Sequence, residues 1–303
     1  MTPAPHTCGF VSLLGVPNVG KTTLLNAFVG KKVGIVSNRP QTTRNRITGI
    51  RTLKHSQAVF IDHPGFHQPK HRLNREMMKL TLAGLKGVDL LLLVLDAQSP
   101  PGPLDRELMS ILARTPIPLA VLLNKIDLVP RKPDLLPRMV RISEALPGRE
   151  IFPISARTGE GLSEVDAYIA ARLPEGPPLY PEDQWTTQSE TFFISELVRE
   201  KVLATCREEI PYAVAVEIVL SEEDEEKNLL KVSARLICEK EGQKAILIGK
   251  GGEKIKQIGT LARQEIEGLL AVRLFLDLQV KVIPGWRDDP SFLRRILPQD
   301  DAE

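Results

Sequence analysis

The sequence predicts an α/β domain, a mostly parallel sheet with helices on both faces, followed by a smaller α+β domain. Three observations carry this expectation. The chain has 303 residues, and ordinary domains run roughly 100–200, so two are expected. Up to residue 173, short apolar runs alternate with helical patterns; after residue 185 the order becomes α-β-β-α-α-β. Hydrophobic residues at 42% and charged residues at 26% suffice for buried cores and exclude a wholly disordered chain.

In the first half, apolar runs at 10–14, 47–53, 58–61, 90–95, 119–123 and 151–154 read as strands. Helical patterns at 21–29, 75–86, 104–113, 134–146 and 161–172 fall between them. An unbroken run such as LLLLVL at 90–95 marks a strand covered on both faces. Bounded by Asp89 and Asp96, it is far too short for the roughly 20 apolar residues of a membrane span. The runs at 47–53 and 58–61 are joined by a short polar turn and predict one antiparallel hairpin at a sheet edge.

The stretch LPEGPPLYPEDQ at 173–184 holds four prolines and one glycine, and proline lacks a backbone donor and resists helix. We therefore read 1–173 as the first domain, 174–184 as a linker and 185–303 as the second domain. Formal charge is +2 overall, too balanced to argue a nucleic-acid partner by itself. It divides unevenly, because residues from Trp185 onward carry 17 Lys+Arg against 22 Asp+Glu, a net of −5. The acidic run at 222–226 is expected at a solvated hairpin tip. A helix is expected near 190–208, strands at 212–220, 229–238 and 272–282, and helices at 243–248 and 253–268. Residues 1–8 lack the basic start and apolar stretch of a secretory signal, so a cytoplasmic location is expected. Cys8, Cys206 and Cys238 show no CxxC spacing and are expected as buried thiols, outside any disulfide framework or zinc site.

Chemistry enters at Gly15, Val16, Pro17, Asn18, Val19, Gly20, Lys21 and Thr22, which form G-x-x-x-x-G-K-T between an apolar strand and a helical pattern. Glycines let backbone N–H groups turn around phosphate oxygens, and the helix opening through Thr23 adds its positive dipole end. Lys21 supplies a charge to the β- and γ-phosphates, and Thr22 offers a hydroxyl to Mg2+. After the strand at 119–123 come Asn124, Lys125, Ile126 and Asp127. A carboxylate at Asp127 accepts from both guanine N1–H and its 2-amino group; adenine offers neither donor and leaves a buried anion unpaired. Asn124 braces neighbouring loops, and Lys125 lies along the base.

Asp62, His63, Pro64 and Gly65 follow the strand at 58–61, with Asp62 placed to hold Mg2+ through water and the Gly65 N–H to meet the γ-phosphate. Ser155 and Ala156 follow the strand at 151–154, with backbone amides for guanine O6. All these loops fall at carboxyl ends of strands, where ligands bind open α/β sheets. In the loop at 31–45, Gln41-Thr42-Thr43-Arg44 offers a threonine that reaches Mg2+ and the γ-phosphate only in the triphosphate state. Thr43 is preferred, with Thr42 the adjacent alternative. Phe66 stands where Ras-like enzymes place a water-orienting glutamine, so water is positioned from elsewhere or hydrolysis is slow. His63 is expected as an exposed, incidental loop residue.

In the second domain, Gly249, Lys250, Gly251 and Gly252 form a GxxG turn between two helical patterns. Helix-terminal amides with Lys244, Lys250 and Lys254 meet sugar–phosphate oxygens, while Ile248 and Ile255 form an apolar floor for bases. A KH module clamps about four single-stranded nucleotides in this way. Trp286 and Phe292 are read as caps on the small core.

The cluster GVPNVGKT at 15–22, PQTTRNR at 40–46, DHPG at 62–65 and NKID at 124–127, joined to EGQKAILIGKGGEKI at 241–255, closely resembles the bacterial Era family over nearly the whole chain. The resemblance implies a P-loop GTPase domain followed by a type II KH domain, and a GTP-hydrolysing protein that cycles between GTP and GDP. It implies binding near the 3′ end of 16S rRNA and assistance to maturation of the small (30S) ribosomal subunit. Family members are cytoplasmic and can associate peripherally with the inner membrane; a monomer is expected. The resemblance also implies an apolar residue in place of the catalytic glutamine, matching Phe66. In related members the cradle asparagine, here Asn18, can ligate K+, which adds Asn18 to Lys21, Thr43 and Gly65 as candidates at the reacting phosphate. Two rival readings are an RNA adaptor whose nucleotide site is hydrolytically idle and a P-loop enzyme acting on small molecules.

Overall fold

The computed structural model describes residues 6–39, 42–67, 72–83 and 87–296. The chain forms two compact units, one of Met1–Gly34, Thr43–Pro69 and Asn74–Thr187, the other of Ile35–Thr42, Lys70–Leu73 and Gln188–Glu303.

The first part of the chain runs β1 (Thr7–Leu14), α1 (Lys21–Val29), β2 (Ile47–Leu53), β3 (Ser56–Asp62), α2 (Arg72–Ala83), β4 (Leu90–Asp96), α3 (Pro103–Leu112), β5 (Leu119–Asn124), α4 (Leu136–Ala145), β6 (Glu150–Pro153) and α5 (Leu162–Ala170). The expected helix at 75–86 begins earlier, at Arg72, and its last three residues lie outside the described ones. The six strands are ordered β2-β3-β1-β4-β5-β6. Only β2 is antiparallel, paired to β3 at the edge, as the short polar turn between the two runs requires. Successive side chains alternate between faces. Leu13, Leu92 and Leu122 pack with Leu24, Phe28 and Val165 on one side, while Leu91, Leu93, Val121 and Leu123 pack with Leu108, Leu112 and Ile142 on the other. Each such side chain, fully buried, stabilises the unit by about 1.5–3 kcal/mol.

Register places the site. Leu13 pairs with Asp62 and Asp96 with Asn124, so four strands deliver their following loops to one edge of the sheet. The proline-rich stretch belongs to this unit as an ordered strap: Cys8 N–H donates to the Pro174 carbonyl at 2.9 Å and Ile50 N–H to that of Trp185 at 2.9 Å. The Gln57 side chain accepts from Leu179 N–H at 2.8 Å and donates to the Tyr180 carbonyl at 2.8 Å.

The second part runs α6 (Glu190–Thr205), β7 (Ala215–Asp224), β8 (Leu229–Cys238), α7 (Glu241–Ile248), α8 (Glu253–Leu270), β9 (Arg273–Val282) and α9 (Pro290–Ile296). The sheet order is β7-β8-β9, with the first pair antiparallel and the second parallel. Trp286 is fully buried; its indole N–H donates to the Ala213 carbonyl at 3.0 Å and its ring meets Phe292 edge-on, so both aromatics cap the core. The acidic run does not sit wholly at the hairpin tip. Glu222, Glu223 and Asp224 continue β7, with Glu222 opposite Lys231, and the turn occupies only Glu225–Lys227. An edge strand open to water carries such carboxylates without burying them. The helix α9 was not expected; Asp289 Oδ1 accepting from Ser291 N–H at 2.8 Å, ahead of Pro290 at the first turn, is its start signal. All three cysteines are free and buried. Among the described residues, no helix is long and apolar enough to cross a membrane.

Candidate nucleotide site and RNA interface

The cradle between β1 and α1 closes on itself through Gly20. Its φ of 97° is one that side-chain-bearing residues rarely adopt, and a Cβ there would lie 2.4 Å from Asn124 Nδ2. Asn124 thereby reaches across 105 residues of sequence, donating to the Val19 carbonyl at 2.8 Å. Lys21 is buried at the start of α1, and its ammonium donates to the Gly15 and Val16 carbonyls, each at 3.1 Å. Burial lowers its pKa, opposed by the nearby carboxylate of Asp62.

Asp62, His63, Pro64 and Gly65 lead away from β3. Thr22 Oγ1 donates to Asp62 Oδ2 at 2.5 Å and lies 2.8 Å from Thr43 Oγ1. Asp62 Oδ1 is buried with no hydrogen-bond partner among the described residues. Burial pushes the Asp62 carboxyl up to about 6, against the pull of Lys21, Thr22 and Thr43. Three hard oxygen donors converging with an unsatisfied carboxylate oxygen suit a small divalent cation, and Mg2+ fits this donor set. Thr42 turns elsewhere: its hydroxyl donates to the Arg39 carbonyl at 2.7 Å and lies 2.8 Å from Ser37 Oγ. The structure thus brings Thr43, and not Thr42, to Thr22 and Asp62; Gln41 lies outside the described residues.

The expectation of an exposed His63 is overturned, since only 1% of its surface is accessible. The loop folds inward because Phe66 N–H donates to the Gly15 carbonyl at 3.0 Å, drawing the segment under the cradle. Phe66 itself joins the sheet core with Leu14 and Leu91. Two residues missed in the sequence hold this loop: Thr81 Oγ1 donates to the Pro64 carbonyl at 2.7 Å, and His67 Nδ1 is 2.6 Å from that of Gly65.

At the base end, Ser155 Oγ donates to Asp127 Oδ1 at 2.6 Å and Arg157 pairs with Oδ2 at 2.6 Å. Ala156 N–H donates to Asn124 Oδ1 at 2.9 Å, locking the two base loops together. Arg157 is largely exposed, and such an ion pair contributes at most about 1 kcal/mol. Its oxygen is therefore readily yielded to stronger donors. Lys125, held at φ 70°, donates to the Asn18 carbonyl at 2.6 Å and to Asp96 Oδ2 at 2.7 Å. Asp96 was not anticipated, although its place at the end of β4 opposite Asn124 was the available signal.

In the second unit, α7 ends at Gly249 and α8 begins after Gly252, with Lys250 exposed in the turn between. Lys254 Nζ donates to Gln257 at 3.1 Å, and Lys244 is half-buried. A groove of about 470 Å³ runs beside the turn between α8 and β9, lined by Ile255, Gly259, Arg263, Phe275, Leu276 and Leu278 among others. Of the two isoleucines expected in the floor, Ile255 lines this groove and Ile248 does not. Phe275, 62% exposed, was missed. Its signal was period two: Leu274 points into the core, so its neighbour must face out. Exposed aromatic and apolar side chains beside a glycine turn and lysines are the materials of base stacking and phosphate contact.

A phosphate cradle, an oxygen cluster that suits Mg2+ and a strand-end carboxylate of the kind expected to read guanine, in one chain with a glycine-turn α+β module, point to a guanine-nucleotide protein with an RNA-binding domain. Residues 10–125 match the family described as 50S ribosome-binding GTPase, and residues 209–287 match the KH domain. GTPase Era of Geobacter metallireducens is 42% identical over 98% of this chain and 99% of its own length. That of Syntrophus aciditrophicus is 44% identical over 94% and 93%. Among solved structures, Aquifex aeolicus Era in a single-substitution variant bound to GDP and aluminium fluoride superposes with a TM-score of 0.91 at 37% identity, covering 96% of this chain and 98% of that one. Era in complex with MgGDPNP and nucleotides 1506–1542 of 16S ribosomal RNA gives 0.92, also at 37% identity, with the same coverage. The chain belongs to the Era family of GTPases.

Asp127→Asn turns one of the two acceptor oxygens placed for guanine N1–H and its 2-amino group into an N–H donor, which clashes with guanine and suits the extra carbonyl of xanthine. GTP affinity should fall at least about 100-fold, equivalent to roughly 2.7 kcal/mol, while xanthosine triphosphate gains. Competition titration with a fluorescent nucleotide checks this, and an unchanged GTP affinity contradicts the base assignment. At Gly251, φ is 61° and a Cβ would meet nothing within 4 Å, so Gly251→Asp costs backbone strain and adds a negative charge where phosphate approaches. RNA affinity should drop about 10-fold or more with GTP affinity unchanged, read by anisotropy of a labelled single-stranded RNA.

Proposed function

We propose that this chain is a GTP-hydrolysing switch that binds the 3′ region of 16S rRNA and assists maturation of the small ribosomal subunit. The observation that carries the reading is likeness over nearly the full chain to an Era structure holding both MgGDPNP and nucleotides 1506–1542 of 16S rRNA. The cradle and groove described above supply matching chemistry in this chain's own residues. The nucleotide lies along Gly15–Thr22, with Thr23 in the first turn of α1 and Pro17 and Val19 shaping the loop. Lys21 meets the β- and γ-phosphates, and Thr22, Thr43 and Asp62 hold Mg2+, which neutralises charge on the transferring group.

The Gly65 N–H and Thr43 respond to the γ-phosphate, so only the triphosphate holds both loops; Pro64 and His63 complete that turn. Phe66 is committed to the core and offers no side chain to orient water, which makes intrinsic hydrolysis slow and open to acceleration by a bound partner. Asn18, at the exposed tip of the cradle with φ 66°, is the residue toward which K+ is held. Guanine is read by Asp127, with Asn124, Lys125, Ser155 and Ala156 bracing the pocket. RNA is met by Lys244, Gly249, Lys250, Gly251, Gly252, Lys254 and Ile255. In this reading the two domains divide the labour, 1–173 for nucleotide and 185–303 for RNA, with 174–184 joining them. The protein works as a cytoplasmic monomer with peripheral access to the inner membrane.

The discriminating experiment is phosphate release by the full chain, in K+ or Na+, with and without single-stranded RNA of the 16S 3′ sequence. Release should be abolished by chelating Mg2+, and it should rise about tenfold or more with K+ and RNA together. GTP that stays intact under every condition contradicts the enzyme reading and leaves an idle nucleotide-bound adaptor.

A further inference from the structure

Arg199 is a buried arginine on α6. Its Nε and Nη2 donate to the two carboxylate oxygens of Glu196, one turn earlier, at 2.7 and 2.6 Å. Nη2 also donates to the backbone carbonyl of Thr42. The same unit fastens the preceding loop at two more points. Glu200 Oε1 accepts from Val36 N–H at 3.0 Å, and the Arg39 guanidinium donates to the Cys206 carbonyl at 2.5 Å. Val36, Arg39 and Thr42 belong with α6 to the second compact unit, whereas Thr43, the next residue, belongs to the first.

Stability does not account for this arrangement. Buried arginine–glutamate pairs pay heavily for desolvation, and apolar replacements of similar volume are often neutral or better. Here Arg199 Nη1 is also buried with no hydrogen-bond partner among the described residues, a further cost. What the pair does supply is direction: Glu196 grips the Nε–Nη2 edge of a planar guanidinium, and the shared nitrogen Nη2 is aimed at one carbonyl. That carbonyl is part of a rigid plane. The peptide bond fixes the Thr42 C=O, the Thr43 N–H and the Thr43 Cα in one planar unit, so holding the oxygen orients the base of the Thr43 side chain. The Thr43 hydroxyl, in turn, lies 2.8 Å from Thr22 Oγ1.

We propose that Arg199 is a positioning residue for GTP hydrolysis: by holding the Thr42 carbonyl, it orients the peptide plane that carries Thr43 into the cluster with Thr22 and Asp62. The inference rests on the reading of Thr43 as an Mg2+ and γ-phosphate ligand. Loss of Arg199 therefore affects GTP and its hydrolysis, while GDP, which has no γ-phosphate for Thr43 to meet, is unaffected.

The test compares full-length wild type with Arg199→Met, Thr43→Ala and the double variant, reading kcat, affinities for fluorescent GDPNP and GDP, and thermal melting. Arg199→Met should lower kcat about tenfold and weaken GDPNP binding, with GDP affinity within about twofold of wild type. Thr43→Ala should lose more, and the double variant should be no worse than Thr43→Ala alone, because both changes remove one interaction. A wild-type kcat in Arg199→Met, an equal loss for GDP and GDPNP, or losses that multiply in the double variant would overturn the inference. If Arg199→Met does not fold, Arg199→Lys, which keeps the buried charge beside Glu196, and Glu196→Gln decide: partial loss of kcat in both is expected, and wild-type kcat in both overturns it. Full activity in Thr43→Ala overturns the underlying reading of Thr43 itself, an outcome distinct from a defective Thr43→Ala with a normal Arg199→Met.

Discussion

A buried carboxylate beside a buried ammonium, Asp62 and Lys21, is the constraint from which the nucleotide site follows. Each charge alone is costly in the interior. Burial shifts both groups toward their neutral forms, and each is pulled back by the other. Parallel pairing of β1 with β3 sets the loops that carry them side by side, and the hydroxyls of Thr22 and Thr43 complete the polar cluster. In the proposed function a polyphosphate with its cation would resolve this frustration, supplying anions to Lys21 and a cation to Asp62 at once. Affinity for the nucleotide is in this sense prepaid by the fold.

The second layer of the design is bracing. Asn124 ties the cradle to the loop bearing Ala156, while Lys125 ties it to Asp96, so the base pocket and phosphate loop form one hydrogen-bonded body. Asp127 is held by Ser155 in a fixed orientation, which in the proposed function would reduce the ordering cost of base recognition. The contrast with the loop that precedes Thr43 is instructive. Among its described residues that loop carries no regular secondary structure and is held by side chains, among them Asn26, Glu200 and Arg199, where a sheet ladder would otherwise hold it. A ligand shifts such an equilibrium only through contacts that differ between states, and here the difference between GTP and GDP is the γ-phosphate alone.

Much of this was legible in the sequence, because glycine-rich loops and strand-end polar tetrads are local patterns with local causes. The edge hairpin, the six strands and the GxxG turn all follow from alternation, apolar runs and turn residues. What escaped depends on contacts between distant residues. His63 reads as an exposed loop residue until the Phe66–Gly15 hydrogen bond folds its segment inward. The acidic run reads as a turn until Lys231 pairs opposite Glu222 and makes it strand. Choosing Thr43 over Thr42 needs the loop's path, since adjacent threonines are equivalent in composition. Arg199 had no signal at all, because an arginine in an ordinary helical pattern shows its target only in three dimensions. Phe275 is the instructive middle case: period two points it outward, but only the groove beside α8 gives that exposure a use.

In the proposed function, one molecule reads guanine nucleotide with its first half and lets that reading govern its grip on a single strand with its second. Equilibrium binding of a labelled RNA of the 16S 3′ sequence to the full chain, saturated in turn with GDPNP–Mg2+ and with GDP–Mg2+ at one salt concentration, measures this directly. RNA affinity should be at least about tenfold higher in the GDPNP complex, a coupling of roughly 1.4 kcal/mol, with by reciprocity an equal gain in GDPNP affinity, relative to GDP, when RNA is bound. Identical RNA affinity in the two nucleotide states would contradict it.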